Sequence, residues 1–134
     1  MTAEEPTDRD VEVPHPTQTL DDTVHQRVRL GVLAVAREAD RVDFGFLKKQ
    51  LGVTDGNLSR HLKVLEESGL IAVEKGYAGR RPRTWIMLTG EGARALDDEL
   101  RALRALVHRL EASGAVPVSG PRPVSGAAPL PVSD

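Results

Sequence analysis

Cysteine is absent from the 134-residue chain. That excludes disulfides, thiolate metal sites and cysteine nucleophiles, and it fits a reducing compartment. Large aromatics are nearly absent too, with one Trp, one Tyr and two Phe. Trp85, in a β-rich run, reads as a packing residue rather than a ligand platform. No apolar run approaches the eighteen or so residues a membrane helix needs, and the opening MTAEEPTDRDVEVPHP is acidic where a secretory signal would be basic and then apolar. A soluble, cytoplasmic protein is expected.

Catalytic and nucleotide-binding patterns are missing as well. Neither GxGxxG nor GxxxxGKS occurs, and His15, His25, His61 and His108 form no HxxxH or HExxH pair. Ser59 has no histidine and acid at a recognisable spacing, and no carboxylates pair in an expected cleft. No enzyme, no metal site and no cofactor are expected. One spacing, His108 with Glu111 on a helix, leaves open a metal-gated protein.

Charge of one sign is scarce only in total. The formal net charge is -2, which by itself argues against a nucleic-acid binder. Its distribution argues otherwise. Residues 1–22 hold seven acids against Arg9, while residues 44–83 hold eight bases against four acids. Those bases are Lys48, Lys49, Arg60, Lys63, Lys75, Arg80, Arg81 and Arg83.

The length suits one small domain with tails. Residues 1–20 carry Pro6, Pro14 and Pro16 without apolar periodicity and read as a disordered acidic arm. At the other end PVSG recurs at 117–120 and 123–126 and returns as PVSD at 131–134, so residues 113–134 read as a low-complexity tail. The domain is expected over residues 21–112.

Within it, Asp21 or Asp22 is the expected N-cap of a helix running to about Asp40. Its valines 24, 28, 32 and 35 lie on one side and Leu30 and Leu33 on another. Val42 to Phe44 form a short extended piece, GFLKKQLG a short helix stopped by Gly52, and TDGNLSRHLKVLEESGL a helix capped by Thr54 and ended at Gly69. LIAVEKG and TWIMLT then flank YAGRRPR as a hairpin with a long basic tip. Thr89 caps a last helix to about Ala112. The expected fold is mainly α with a small β-hairpin, in the α+β class.

At 100° per residue, Leu58, Leu62 and Leu65 make a stripe, with Gly56, Arg60, Lys63 and Glu67 opposite and Asn57 and Ser59 flanking them. Only Gly52 and Val53 separate this helix from the one before, the compact connection of a helix-turn-helix. Arg reads guanine and Asn adenine in a major groove, and arginines on a loop tip suit phosphates or a narrow minor groove.

The blocks NLSRHLKVLEESGLI, RRPRTW and LTGEGARAL, within residues 20–112, resemble the winged helix-turn-helix transcriptional regulators, in particular the compact one-domain type related to the MarR and ArsR regulators. The resemblance implies a DNA-binding homodimer, usually a repressor. By position it implies recognition contacts from Thr54, Asp55, Asn57, Ser59, Arg60 and Lys63, and wing contacts from Arg80, Arg81 and Arg83. Lys49, one of the bases of the basic middle, is counted with them as a phosphate contact. Many relatives have a proline early in the first helix, where this chain has His25, Gln26, Arg27, Val28 and Arg29. That departure bears on where the first helix starts.

Ala93, Leu96, Leu100, Leu103, Val107 and Leu110 follow a 3-4-3-4-3 spacing, an a/d seam over about two and a half heptads. A helix of some 23 residues spans roughly 35 Å, more than a small domain covers, so a second chain is expected along the seam, with Val24 and Val28 of the first helix beside it. Packing of the last helix on its own domain is the alternative. A second function class stays open: a winged-helix module that binds a protein partner through a hetero coiled coil and DNA only nonspecifically.

Overall fold

The computed structural model describes residues 14–114, so most of the acidic arm and the PVSG-type tail lie outside the described residues. Four helices and one small sheet follow in the order α1 (Arg27–Glu38), β1 (Val42–Asp43), α2 (Phe44–Leu51), α3 (Asp55–Glu67), β2 (Ile71–Ala78), β3 (Arg81–Leu88) and α4 (Gly90–Ala112).

The first helix starts later than its apolar pattern suggests. Gln26, not Asp21 or Asp22, is its N-cap, and the Gln26 side chain accepts from the Arg29 amide at 2.9 Å. Asp21 instead closes a turn, its backbone oxygen taking the amides of Val24 and His25. Residues 14–20, expected within the unstructured arm, carry a 3-10 turn, Pro16–Thr19, that packs on α4. Composition marked them as disordered because a turn this short has no periodicity to detect.

α2 and α3 form as expected. Gly52 ends α2 at φ 64° and ψ 45°, a left-handed position that glycine adopts without a Cβ penalty. Thr54 caps α3 by accepting the Asn57 amide at 3.1 Å. The sheet is larger than the expected hairpin: its order is β1-β3-β2, all antiparallel, with Val42 opposite Ile86 and Asp43 opposite Trp85. Phe44 joins α2 rather than the strand.

Leu33, Leu47, Leu58, Leu65 and Ile86 are fully buried where α1, α2, α3 and the sheet meet. Each such side chain contributes about 1.5–3 kcal/mol on burial. The leucine stripe of α3 therefore faces inward and fixes its opposite side outward. α4 closes the structure through Gly92, whose added Cβ would sit 2.0 Å from the Leu70 carbonyl oxygen. Thr89 secures the same junction, donating to the Gly69 carbonyl at 2.7 Å and accepting the Gly92 amide at 2.9 Å.

This packing corrects part of the expected dimer surface. Val24, Val28 and Leu96 are buried in the chain's own core, so they have no face to offer a partner. A heptad spacing cannot say which half of a seam turns inward. Here the N-terminal half of α4 packs on its own domain and Leu100 sits against the core. Val107 and Leu110 remain 52% and 64% exposed.

Candidate nucleic-acid interface

The outward ridge of α3 carries Gly56, Arg60, Lys63 and Glu67, all exposed. Arg60 has no ion-pair partner among the described residues, whereas Lys63 lies 3.9 Å from Glu67. Ser59 is exposed and Asn57 half-buried beside the ridge. Asp55 is tied across the turn to Lys48 at 2.9 Å, which offsets its charge and braces α2 against α3. Thr54 uses its oxygen as the cap acceptor and keeps a hydroxyl proton to donate. Lys49 is exposed in the last turn of α2.

The basic wing differs in shape from the long tip expected. β2 and β3 pair to Ala78 opposite Arg81, leaving only Gly79 and Arg80 in the turn. Gly79 takes φ 67° there. Arg80 is thus at the tip, while Arg81 and Arg83 belong to β3. Arg80 and Arg81 are exposed. Arg83 is not the acid-free arginine that the local sequence suggested, because Asp43 pairs with it from β1. That contact joins residues forty positions apart, so no local reading of the wing reveals it.

A groove of about 430 Å³ separates α3 from the wing, lined by Ser59, Lys63 and Glu66 on one wall and Val73, Lys75 and Thr84 on the other. Lys75, counted in the basic middle but given no contact role, stands in this groove. Arg41 is stacked 4.0 Å above the Trp85 ring, which makes Trp85 a packing platform for the cation that precedes β1.

On the other flank of α3, a cluster appears that linear reading missed. Arg29 donates to the backbone oxygens of Thr23 and Asp22 at 2.7 and 3.3 Å, and its Nη1 is 3.2 Å from His61 Nδ1. The guanidinium can only donate, so Nδ1 accepts and the proton of the neutral ring resides on Nε2. Burial foremost, and then the charges of Arg29, Arg60 and Arg27, hold the His61 pKa below its ordinary value of 6.5. Only the alternation of Arg27 and Arg29 at the start of α1 hinted at this site.

At the far end of α4, Leu103, Val107, His108 and Glu111 share one surface hollow with Arg104. Among the described residues no group of three or more metal-ligating side chains exists, and no helix is long and apolar enough to cross a membrane.

The family model described as a winged helix DNA-binding domain matches residues 28–107. An uncharacterized protein of Methanocaldococcus jannaschii is 34% identical over 84 residues, covering 63% of this chain and 91% of its own. A transcriptional regulator homologue from Pyrococcus horikoshii superimposes with a TM-score of 0.64 at 32% identity, over 68% of this chain and 90% of its own. The M. tuberculosis transcriptional regulator MosR, solved in complex with DNA, gives a TM-score of 0.58 at 26% identity, over 73% of this chain and 70% of its own.

Proposed function

Since the chain belongs to the winged helix DNA-binding domain family, and is a DNA-binding transcriptional regulator rather than an enzyme, we propose that it is a cytoplasmic homodimeric repressor reading an inverted repeat. The observation that carries this reading is the ridge of α3. Its leucines are buried, and Arg60 on the opposite side stands exposed and unpaired among the described residues. A short helix with an unpaired arginine beside Asn57 and Ser59 has the groups needed to read base edges in a major groove.

In this reading Arg60 and Asn57 are the main base readers, with Thr54, Asp55 and Ser59 as base or phosphate partners and Lys49 and Lys63 on phosphates. Arg80 and Arg81 lie along the backbone or enter the minor groove, and Arg83 supports them from its pair with Asp43. MosR is a regulator solved on DNA, and a like placement of α3 and wing suits this chain.

Dimerisation rests on the exposed part of α4. Leu103, Val107 and Leu110, with Ala93 and Leu100 nearer the domain, offer the remaining apolar seam, and two chains joined there would place two α3 helices on one DNA face. For a symmetric reader these should lie about 34 Å apart. Selection of bound sequences from a random duplex pool tests the reading. A two-fold symmetric consensus is expected, whereas sequence-blind recovery by a monomer would favour a protein-binding winged helix instead.

A further inference from the structure

A major groove about 12 Å wide receiving a helix 10–12 Å across leaves that helix between two phosphate walls. On α3 only one flank is served by the wing, the flank of Ser59, Lys63 and Glu66 that lines the groove to β2 and β3. His61 lies roughly 160° around the helix from Ser59, on the side packed against α1. The exposed ridge bearing Arg60 runs between these flanks.

That second flank carries cations that the fold does not use up. Arg27 is exposed at the first position of α1 and, like Arg60, has no ion-pair partner among the described residues. Arg29 is fixed by the carbonyls of Thr23 and Asp22, which are neutral acceptors, and it has no ion-pair partner among the described residues. By donating to Nδ1 it also sets the His61 tautomer, leaving an Nε2 proton on the ring edge away from Arg29. Arg29 touches His61, and Arg27 and Arg60 lie close enough to repel a charge on its ring; like charges gathered in this way cost free energy unless an anion joins them.

We propose that Arg27, Arg60 and His61, with Arg29 oriented behind them, form a second phosphate-binding site that grips the DNA strand on the wall of the major groove away from the wing. The site rests on the winged-helix reading above and adds to it a contact from the first helix. Arg27 supplies charge from α1, Arg60 is shared between a base edge and this wall, and His61 donates one hydrogen bond to a phosphate oxygen. The phosphates carry no sequence information, so the site fixes register and strengthens binding to any duplex.

The test is a salt titration of the full chain on a duplex of mixed sequence. Arg27→Gln should reduce the slope of log affinity against log salt by about one per bound protomer, and weaken binding to all sequences alike. Arg101→Gln on α4 makes the same charge change far along the chain from this cluster and should leave the slope as it is. If both variants lower the slope equally, the effect is one of net charge and the site is overturned. If the wild type binds with strong salt dependence, Arg60→Ala weakens it and Arg27→Gln matches wild type, the flank site falls while the winged-helix reading stands. A wild-type chain with no salt-dependent duplex binding overturns both.

Discussion

Asp43 holds Arg83 of the wing strand through Oδ2, Nη1 to Oδ2 2.5 Å, while its Oδ1 accepts the Phe46 amide at 2.7 Å and caps α2. One carboxylate thus couples the start of the helix-turn-helix to the wing. Removing it costs the cap, about 1 kcal/mol, and the ion pair, which is partly exposed and contributes roughly 0.2–1 kcal/mol. Asp43→Ala should therefore lower unfolding stability by about 1–2 kcal/mol, and Arg83→Gln by less than half of that. Urea unfolding of both variants checks the order, and equal losses would show that the cap contributes nothing.

Arg60 and Arg81 should fail differently. On the proposed reading Arg60→Ala removes a base reader, and it should cost about 1–3 kcal/mol on the best operator while relaxing one base position. Arg81→Ala removes only a proposed backbone contact and should weaken specific and random duplexes by the same factor. Titration of each variant on the selected consensus and on a scrambled duplex distinguishes them. An Arg60 variant that kept its affinity and its consensus would remove this residue from the reading surface.

Val107 and Leu110 lie where α4 extends past its own domain, 52% and 64% exposed in the single chain. A carboxylate at a desolvated interface is far costlier than the leucine or valine it replaces, yet in an isolated chain it would face water. Val107→Asp with Leu110→Asp should leave the thermal unfolding of the domain nearly as it was and convert the proposed dimer to a monomer in sedimentation. A dimer that survives both changes would place the partner surface elsewhere.

How much of this was legible in the sequence depends on distance along the chain. The Leu58, Leu62 and Leu65 stripe, the Thr54 and Thr89 caps and the Gly52 stop act within a few residues, and the structure has them where local chemistry puts them. The pairing of Arg83 with Asp43, the buried Leu96 and the gathering of Arg29 onto His61 all join separate elements. Spacing along one helix says which residues share a side but not which side is covered. Glu99 illustrates the limit. A heptad reading ignored it, but it is buried midway along α4, receiving His25 Nδ1 and the Asp21 amide.

Gly92 is the most closely approached of the described glycines. A methyl group there would meet the Leu70 carbonyl oxygen at 2.0 Å and the Leu88 side chain at 2.8 Å. The backbone oxygen cannot rotate away as a side chain can, so α4 would have to shift off the sheet. Gly92→Ala should destabilise by about 1–3 kcal/mol or more despite the better helix propensity of alanine. Unchanged stability by chemical denaturation would mean that α4 slides freely on β2 and β3.

His61 gives the fold a pH dependence of defined sign. Its pKa lies below 6.5 in the folded chain, first because it is desolvated and then because Arg29, Arg60 and Arg27 repel a second positive charge. Above pH 6.5 the ring is largely neutral in both states and adds little. As pH falls below 6.5 the unfolded chain takes up the proton first, so stability declines through the window down to the folded pKa and is level beneath it. His61→Gln keeps an acceptor for Arg29 and cannot titrate, so its unfolding midpoint should fall less than that of the wild type between pH 7.5 and 5. His25 and His108 remain in both proteins, and the difference between them isolates His61. Parallel declines would show that the ring is not held neutral by its burial and its arginine neighbours.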